Sequence, residues 1–223
     1  MLENIKALVF DLDDTLYLQR HFKISGFIAV AEWLEETYSI SSNRTLRHLS
    51  CIMEIHGPSY PFFFDKLVQQ IDFPKIPINQ LVEKFRQHDP DIHFFPGVME
   101  TLIEIKQQYL IGILTDGVQE TQRKKVHALN LHKIVDKILY SDDMKLSKPN
   151  EILYVTLEKS FQCSGKELVY IGDNPNKDFI GAKKRGWHTI RVLTGEFANQ
   201  VVSTNLDGDF SLNNLSELPS LLH

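Results

Sequence analysis

Ile5-Lys6-Ala7-Leu8-Val9-Phe10-Asp11-Leu12-Asp13-Asp14-Thr15 is the stretch on which the reading of the whole chain turns. Its first half is a short apolar run, the pattern of a strand buried on both faces of a parallel sheet. Its second half is acidic and falls where that strand leaves the sheet, the end at which open α/β sheets bind ligands. In an extended chain Asp11 and Asp13 point to the same side. Two carboxylates about 4 to 7 Å apart repel by a few kcal/mol at an effective dielectric near 20, and a bound divalent cation would offset that repulsion. Taken alone, the pentapeptide reads equally well as a solvated acidic turn, so its meaning depends on the rest of the chain.

Working outward, further apolar or β-branched runs occur at Leu110 to Leu114, Lys137 to Tyr140, Leu168 to Ile171 and Thr189 to Leu193, with Phe210 to Leu212 as a candidate edge strand. Between them lie helical patterns at Gln119 to Leu129, Asn150 to Phe161 and Lys177 to Lys184, the alternation of an open α/β sheet. The gap between the first strand and Leu110 is far longer than an ordinary crossover, so a folded insertion is expected there. Phe22 to Tyr38, Thr45 to His56, Pro61 to Ile71 and Pro77 to His88 all carry helical spacing. These patterns predict an α/β core from residues 1–17 and 94–223, with an inserted helical domain over residues 18–93. Phe95-Pro96-Gly97 then opens the helix that returns to the core.

Composition narrows the classes. With 223 residues, of which 43% are hydrophobic, the chain can build one sizeable core or a core with a smaller second domain. A formal charge of -5 and the absence of a long basic run argue against a broad grip on nucleic acid or anionic lipid. No apolar run approaches membrane-spanning length, and the first residues show no secretory leader. Two cysteines, Cys51 and Cys163, suggest neither a disulfide framework nor a zinc site. A cytoplasmic location is the resulting expectation.

Three later stretches sit at or just beyond predicted strand ends. Leu114-Thr115-Asp116-Gly117 closes the second core strand and by itself is an ordinary turn with a helix cap. Ser147-Lys148-Pro149 holds a Lys before a Pro that would start the next helix, although an isolated Lys-Pro is usually surface decoration. Gly172-Asp173-Asn174-Pro175-Asn176-Lys177-Asp178 comes directly after a predicted strand and carries a second Asp five positions after the first. Each could be punctuation of a sheet; four in series are harder to dismiss.

In this order the four stretches resemble the motifs of the haloacid dehalogenase superfamily, and the insertion falls where that family carries a small helical cap. The resemblance implies a Rossmann-like open parallel sheet and a magnesium-dependent phosphatase acting on a small phosphate monoester through an aspartyl-phosphate on Asp11. It makes Asp11 the nucleophile and a metal ligand. Asp13 becomes the general acid and base, with its main-chain carbonyl on the metal. Thr115, Asp116 and Lys148 are assigned to the phosphate, Asp173 to the metal, and Asp178 to orienting metal-bound water or Lys148. Asp116 departs from the usual Asn, and a carboxylate beside phosphate is unhelpful unless it points away. Members that remove halide lack the second Asp, so Asp13 favours phosphoryl chemistry.

A sugar phosphomutase would keep all these motifs, and a non-catalytic binding protein on the same scaffold is a second alternative. The expected partner is a small phosphorylated metabolite, of the sugar phosphate or nucleoside monophosphate class. Candidates for specificity in the insertion are His21, Lys23 and Tyr60, although Lys23 reads more simply as a solvated charge and most of Phe62-Phe63-Phe64 as core. Oligomeric state is not legible in the sequence.

Overall fold

A computed structural model describes residues 2–70 and 76–222. The chain divides into two compact units, one comprising Met1–Leu18 with His93–His223 and the other Gln19–Ile92.

The first unit is built on six strands: β1 (Ala7–Phe10), β2 (Leu110–Thr115), β3 (Lys137–Tyr140), β4 (Leu168–Gly172), β5 (His188–Val192) and β6 (Phe210–Leu212). They form one sheet in the order β3-β2-β1-β4-β5-β6, and every neighbouring pair is parallel. β1 lies near the middle, with Phe10 level with Ile113 of β2 and Ile171 of β4. All four of its residues are fully buried, which is why its sequence is a continuous apolar run rather than an alternation. Burial of side chains such as Leu8 and Phe10 contributes about 1.5 to 3 kcal/mol each.

Eight helices of at least seven residues accompany the strands among the described residues. They are α1 (Gln19–Tyr38), α2 (Ser42–His56), α3 (Phe63–Gln70), α4 (Ile78–Gln87), α5 (Val98–Ile105), α6 (Gln119–Ala128), α7 (Glu151–Phe161) and α8 (Asp178–Lys184). One face of the sheet, presenting Ala7, Val9, Leu168 and Tyr170, packs against Leu153, Tyr154, Leu157 and Phe161 of α7 and Phe179 and Ala182 of α8. Pro149 does not open α7 as expected. Asn150 caps that helix, its side chain accepting the Ile152 N–H at 3.0 Å, and Pro149 stands one residue before the cap.

The second unit contains α1 to α4. Its core joins Phe27, Val30 and Leu34 of α1 to Leu49, Ile52 and Met53 of α2, Phe63, Phe64 and Leu67 of α3, and Leu81 of α4. Aromatic edges organise it, with the Phe27 ring 5.0 Å from Phe63 and 5.9 Å from Phe85. The helix expected over Pro61 to Ile71 begins at Phe63, after a turn closed by the Tyr60 N–H on Gly57 O and a bend at Pro61; Ile71 itself lies outside the described residues. Phe62 is 56% exposed, whereas Phe63 and Phe64 are buried.

Both ends of the stretch that leaves the first unit are held together within it. Tyr17 forms an antiparallel bridge with Phe94, and the Phe95 N–H donates to Leu16 O at 3.0 Å. Among the described residues no helix is long and apolar enough to cross a membrane, and both cysteines are free.

Candidate active site

The strand order reverses its direction of growth between β1 and β4, which opens a crevice at the carboxyl ends of the strands. The backbone delivers the predicted residues to that edge. The Asp11 N–H donates to Ile171 O at 2.8 Å, a further ladder bond that holds Asp11 in line with β1. Thr115 is the last residue of β2, and Asp173 comes immediately after the last residue of β4. All three are buried.

Lys148 comes from the loop before α7, and its ammonium ties the edge together. Its Nζ lies 2.6 Å from Asp11 Oδ1, 2.7 Å from Asp178 Oδ1 and 3.2 Å from the Tyr170 hydroxyl. The residue is only 6% exposed. Burial alone would lower its pKa, but the Asp11 and Asp178 carboxylates overcome that and raise it well above the ordinary lysine value, so the ammonium stays charged. Asp116 turns away from the strand-end pocket. Both its carboxylate oxygens accept from the Lys148 main-chain N–H, at 3.1 and 3.2 Å, so it fastens the loop that carries the ammonium.

Asp178 begins α8, and its second oxygen accepts the Asn174 N–H at 2.9 Å. Gly172 is required by this approach, because a Cβ there would fall inside the Asp178 carboxylate. Any other residue at this position would push Asp178 away from Lys148.

Asp11, Asp173 and Asp178 each bring a carboxylate oxygen to within 4.8 Å of the others, and all three are buried. Two unit charges at that separation repel by roughly 3 kcal/mol at an effective dielectric of 20. One ammonium cannot neutralise three carboxylates. Burial, the largest effect, and then the opposing Lys148 and the neighbouring Asp178 leave the Asp11 carboxyl raised to about 7; burial, Asp178 and Asp11 raise Asp173 well above the carboxylate range. Such a cluster suits a divalent cation. Its donors are hard oxygens, with no His or Cys among them, which fits magnesium better than zinc. Asp13 is not part of this trio.

The Asp13 side chain points instead toward α6. Its Oδ1 accepts from Lys125 Nζ at 2.6 Å and from the Tyr17 hydroxyl, and its Oδ2 accepts from Gln122 Nε2 at 2.9 Å. Burial would raise its pKa, but the Lys125 charge and these donors hold it below the usual carboxylate value. Gln122 Nε2 also donates to Thr115 Oγ1. The threonine hydroxyl therefore acts as an acceptor toward α6, leaving its own proton to be donated elsewhere. Thr15 Oγ1 donates to Asp173 Oδ1 at 3.3 Å. Asp14 takes a left-handed backbone conformation at φ 57°, and its carbonyl accepts the Thr194 hydroxyl, which ties the end of the acidic stretch to the segment after β5.

The three specificity candidates lie in the other unit. His21 is exposed on α1. Lys23 is not a freely solvated charge, since its ammonium lies 5.4 Å from the Phe63 ring centre and 5.5 Å from that of Phe85. Tyr60 stacks on His56 with ring centres 4.3 Å apart.

The sequence model for haloacid dehalogenase-like hydrolases matches residues 8–192, which spans β1 to β5. The chain belongs to that family. Among solved structures, a HAD-hydrolase of Bacillus subtilis bound to magnesium superposes with a TM-score of 0.73, covering 98% of this chain and 99% of that one at 19% identity, a likeness of fold. A glyceraldehyde 3-phosphate phosphatase of Methanocaldococcus jannaschii is 29% identical over 98% of this chain and 97% of its own length. The enzyme of the same name from Methanopyrus kandleri is 27% identical over 96% and 95%. As an enzyme, the chain is a haloacid dehalogenase-like phosphatase.

The structure brings Asp11, Lys148, Asp173 and Asp178 of this haloacid dehalogenase-like site together and adds Tyr17, Gln122, Lys125 and Tyr170, to which the sequence alone assigns no role at the site. One signal was available. Gln122 and Lys125 are three positions apart on the helix that comes after Thr115-Asp116-Gly117, so they share a face. Arg123 and Lys124 lie between them, which disguises a buried Lys as one more surface charge.

Proposed function

We propose that this phosphatase transfers the phosphoryl group of a small phosphate monoester to Asp11 and then to water, with magnesium bound by the carboxylate cluster. The observation that carries the reading is the Lys148 ammonium held between Asp11 and Asp178, with Asp173 completing a buried trio of carboxylates within 4.8 Å. Lys148 balances part of the charge that an arriving dianionic phosphate brings, and the proton left on Thr115 is available to an equatorial phosphoryl oxygen.

In the first half-reaction an Asp11 oxygen forms a bond to phosphorus as the bond from phosphorus to the alcohol oxygen breaks. Asp13, a carboxylate in the resting site, first takes up a proton from solvent and then gives it to that departing oxygen. In the second, water attacks phosphorus, Asp13 takes a proton from it, and the Asp11 carboxylate leaves as inorganic phosphate forms. Asp11 and Asp173, with the Asp13 main-chain carbonyl, are the proposed holders of the ion, and Asp178 orients Lys148. When bound, magnesium would supply screening of phosphate charge at the nucleophile, which lets one anion approach another. Asp116 contributes to phosphate binding through the Lys148 loop it fastens.

For substrate we favour a small sugar phosphate, with a triose phosphate first, because the Methanocaldococcus jannaschii and Methanopyrus kandleri relatives act on glyceraldehyde 3-phosphate and align along nearly the whole chain. His21, Lys23 and Tyr60 remain the proposed sources of selectivity. Such a metabolite and two unpaired cysteines suit the cytoplasm.

The test is phosphate release from glyceraldehyde 3-phosphate and from 4-nitrophenyl phosphate, with magnesium, by the wild type and by Asp11→Asn. The variant should fold normally and lose at least about a thousandfold in turnover. Ordinary activity in Asp11→Asn, or activity that survives exhaustive chelation, would remove the nucleophile or the ion from the mechanism. Isomerisation that needs a bisphosphate primer and releases no phosphate would make the chain a phosphomutase.

A further inference from the structure

We infer that Tyr17, Gln122 and Lys125 are positioning residues that hold Asp13 in the one orientation from which its Oδ2 can pass a proton to the departing alcohol. This inference rests on the proton-transfer role proposed for Asp13. Its geometric basis is the allocation of lone pairs. A carboxylate offers about four acceptor sites, two on each oxygen. On Asp13 the Oδ1 oxygen receives two donors, the Lys125 ammonium at 2.6 Å and the Tyr17 hydroxyl. Oδ2 receives one, the Gln122 amide at 2.9 Å. The acceptor site left over is on Oδ2, which makes that oxygen the one to carry a proton toward substrate.

Gln122 adds a second constraint. The same amide nitrogen that holds Oδ2 also donates to Thr115 Oγ1. One side chain thus sets the proton donor to the leaving group and the threonine proposed to grip the phosphoryl group, and their spacing is fixed by a single amide. The three donors come from two elements. Tyr17 lies six residues beyond Asp11 on the segment that leaves β1, and Gln122 and Lys125 lie one helical turn apart on α6. Tyr17 is fully buried and Lys125 is 4% exposed, so neither can swing into solvent without breaking packing. A buried Lys in the last turn of α6 with an ion pair to Asp13 is an expensive arrangement, and this role gives it a reason.

The chemistry supplies a readout that a merely structural role would not move. A 4-nitrophenolate leaves without a proton, whereas an alkoxide needs one as its bond to phosphorus breaks. The measurement is kcat/KM, which reports the step in which the alcohol departs. It is made for 4-nitrophenyl phosphate and for an alkyl phosphate that the wild type hydrolyses, glyceraldehyde 3-phosphate being tried first. Variants are Tyr17→Phe, Gln122→Met, Lys125→Met and Lys125→Arg, with Asp13→Asn as reference and thermal unfolding as the check of fold.

Loss of positioning should reduce kcat/KM for the alkyl ester by about 10- to 100-fold in Tyr17→Phe and Lys125→Met and for the aryl ester by less than about threefold, whereas Gln122→Met, which also releases Thr115, should lower both, the alkyl ester by about tenfold more. Lys125→Arg should recover part of the loss. Equal losses for both esters, or no loss for either, would overturn the inference. Should Lys125→Met fail to fold, Tyr17→Phe decides alone, since it removes one hydroxyl. If Asp13→Asn shows the leaving-group dependence and the three variants do not, only the positioning claim fails. If Asp13→Asn lacks it too, the acid role proposed for Asp13 fails and takes the inference with it. Retention of activity in Asp11→Asn is a separate failure, of the nucleophile.

Discussion

Asp116 is a carboxylate beside a pocket built for anions, and its orientation removes the conflict. Both its oxygens face the Lys148 main-chain N–H, so its contribution is to the loop and not to the phosphate directly. An amide oxygen can accept the same bond. Asp116→Asn should therefore keep kcat/KM within about threefold of wild type, whereas Asp116→Ala, which leaves that N–H without its partner, should lose about tenfold. Steady-state kinetics with 4-nitrophenyl phosphate checks both, and equal behaviour of the two variants would contradict this role. At this scale the legible residues are those whose type and local motif carry chemistry: Asp11, Asp13, Thr115 and Asp173 at or just after strand ends, Lys148 in the loop before α7 and Asp178 at the start of α8. Tyr17, Gln122, Lys125 and Tyr170 were illegible because their meaning lies in what they touch across the fold. Tyr170, for example, reads as a strand aromatic until its hydroxyl is found 3.2 Å from Lys148.

Among the elements, the strands were read closely because burial on both faces leaves unbroken apolar runs, and β3 and β6 match their expected spans to the residue. Helix starts were less legible. A Pro before a helix is a familiar signal, yet the capping side chain at Asn150 decides where α7 begins. The join between α7 and α8 was not visible at all. Glu158 of α7 accepts from Arg185 Nη2 at 2.8 Å and from the Trp187 indole at 2.9 Å, just beyond the end of α8. Burial would raise the Glu158 pKa, but the Arg185 and Trp187 hydrogen bonds prevail and hold it below the ordinary glutamate value. A folded-state pKa below the unfolded one stabilises at pH above the unfolded value, near 4.5, and that stabilisation fades as pH falls through the folded value. Glu158→Gln should lower stability by about 1 to 3 kcal/mol at pH 7, with the gap to wild type narrowing below about pH 4.5. Urea unfolding across that range measures it. A gap independent of pH would show that the charge of Glu158 contributes nothing.

On the scale of the whole molecule, the long interval between β1 and β2 announced an insertion, because no ordinary crossover is that long. Each unit has its own hydrophobic cluster, and the two clusters share no residue. The insertion leaves and re-enters through paired backbone, Tyr17 bridged to Phe94, so its ends are already close together. Replacing Gln19–Ile92 by a short Gly/Ser linker should therefore leave a first unit that unfolds cooperatively and keeps its strand and helix signature by circular dichroism. A chain that is unfolded or aggregated after this replacement would show that the sheet depends on the helical unit.

The proposed mechanism stands or falls on whether the phosphoryl group rests on Asp11 between the two half-reactions, and trapping it there is the decisive experiment. The enzyme turning over an alkyl phosphate with magnesium is quenched in acid, treated with borohydride, which reduces an acyl phosphate to an alcohol, and mapped by peptide mass spectrometry. Homoserine is expected at position 11 in a fraction of the chains, and only when substrate was present. Unmodified Asp11 alongside continuing phosphate release, with reduction found at another carboxylate, would show that the nucleophile lies elsewhere.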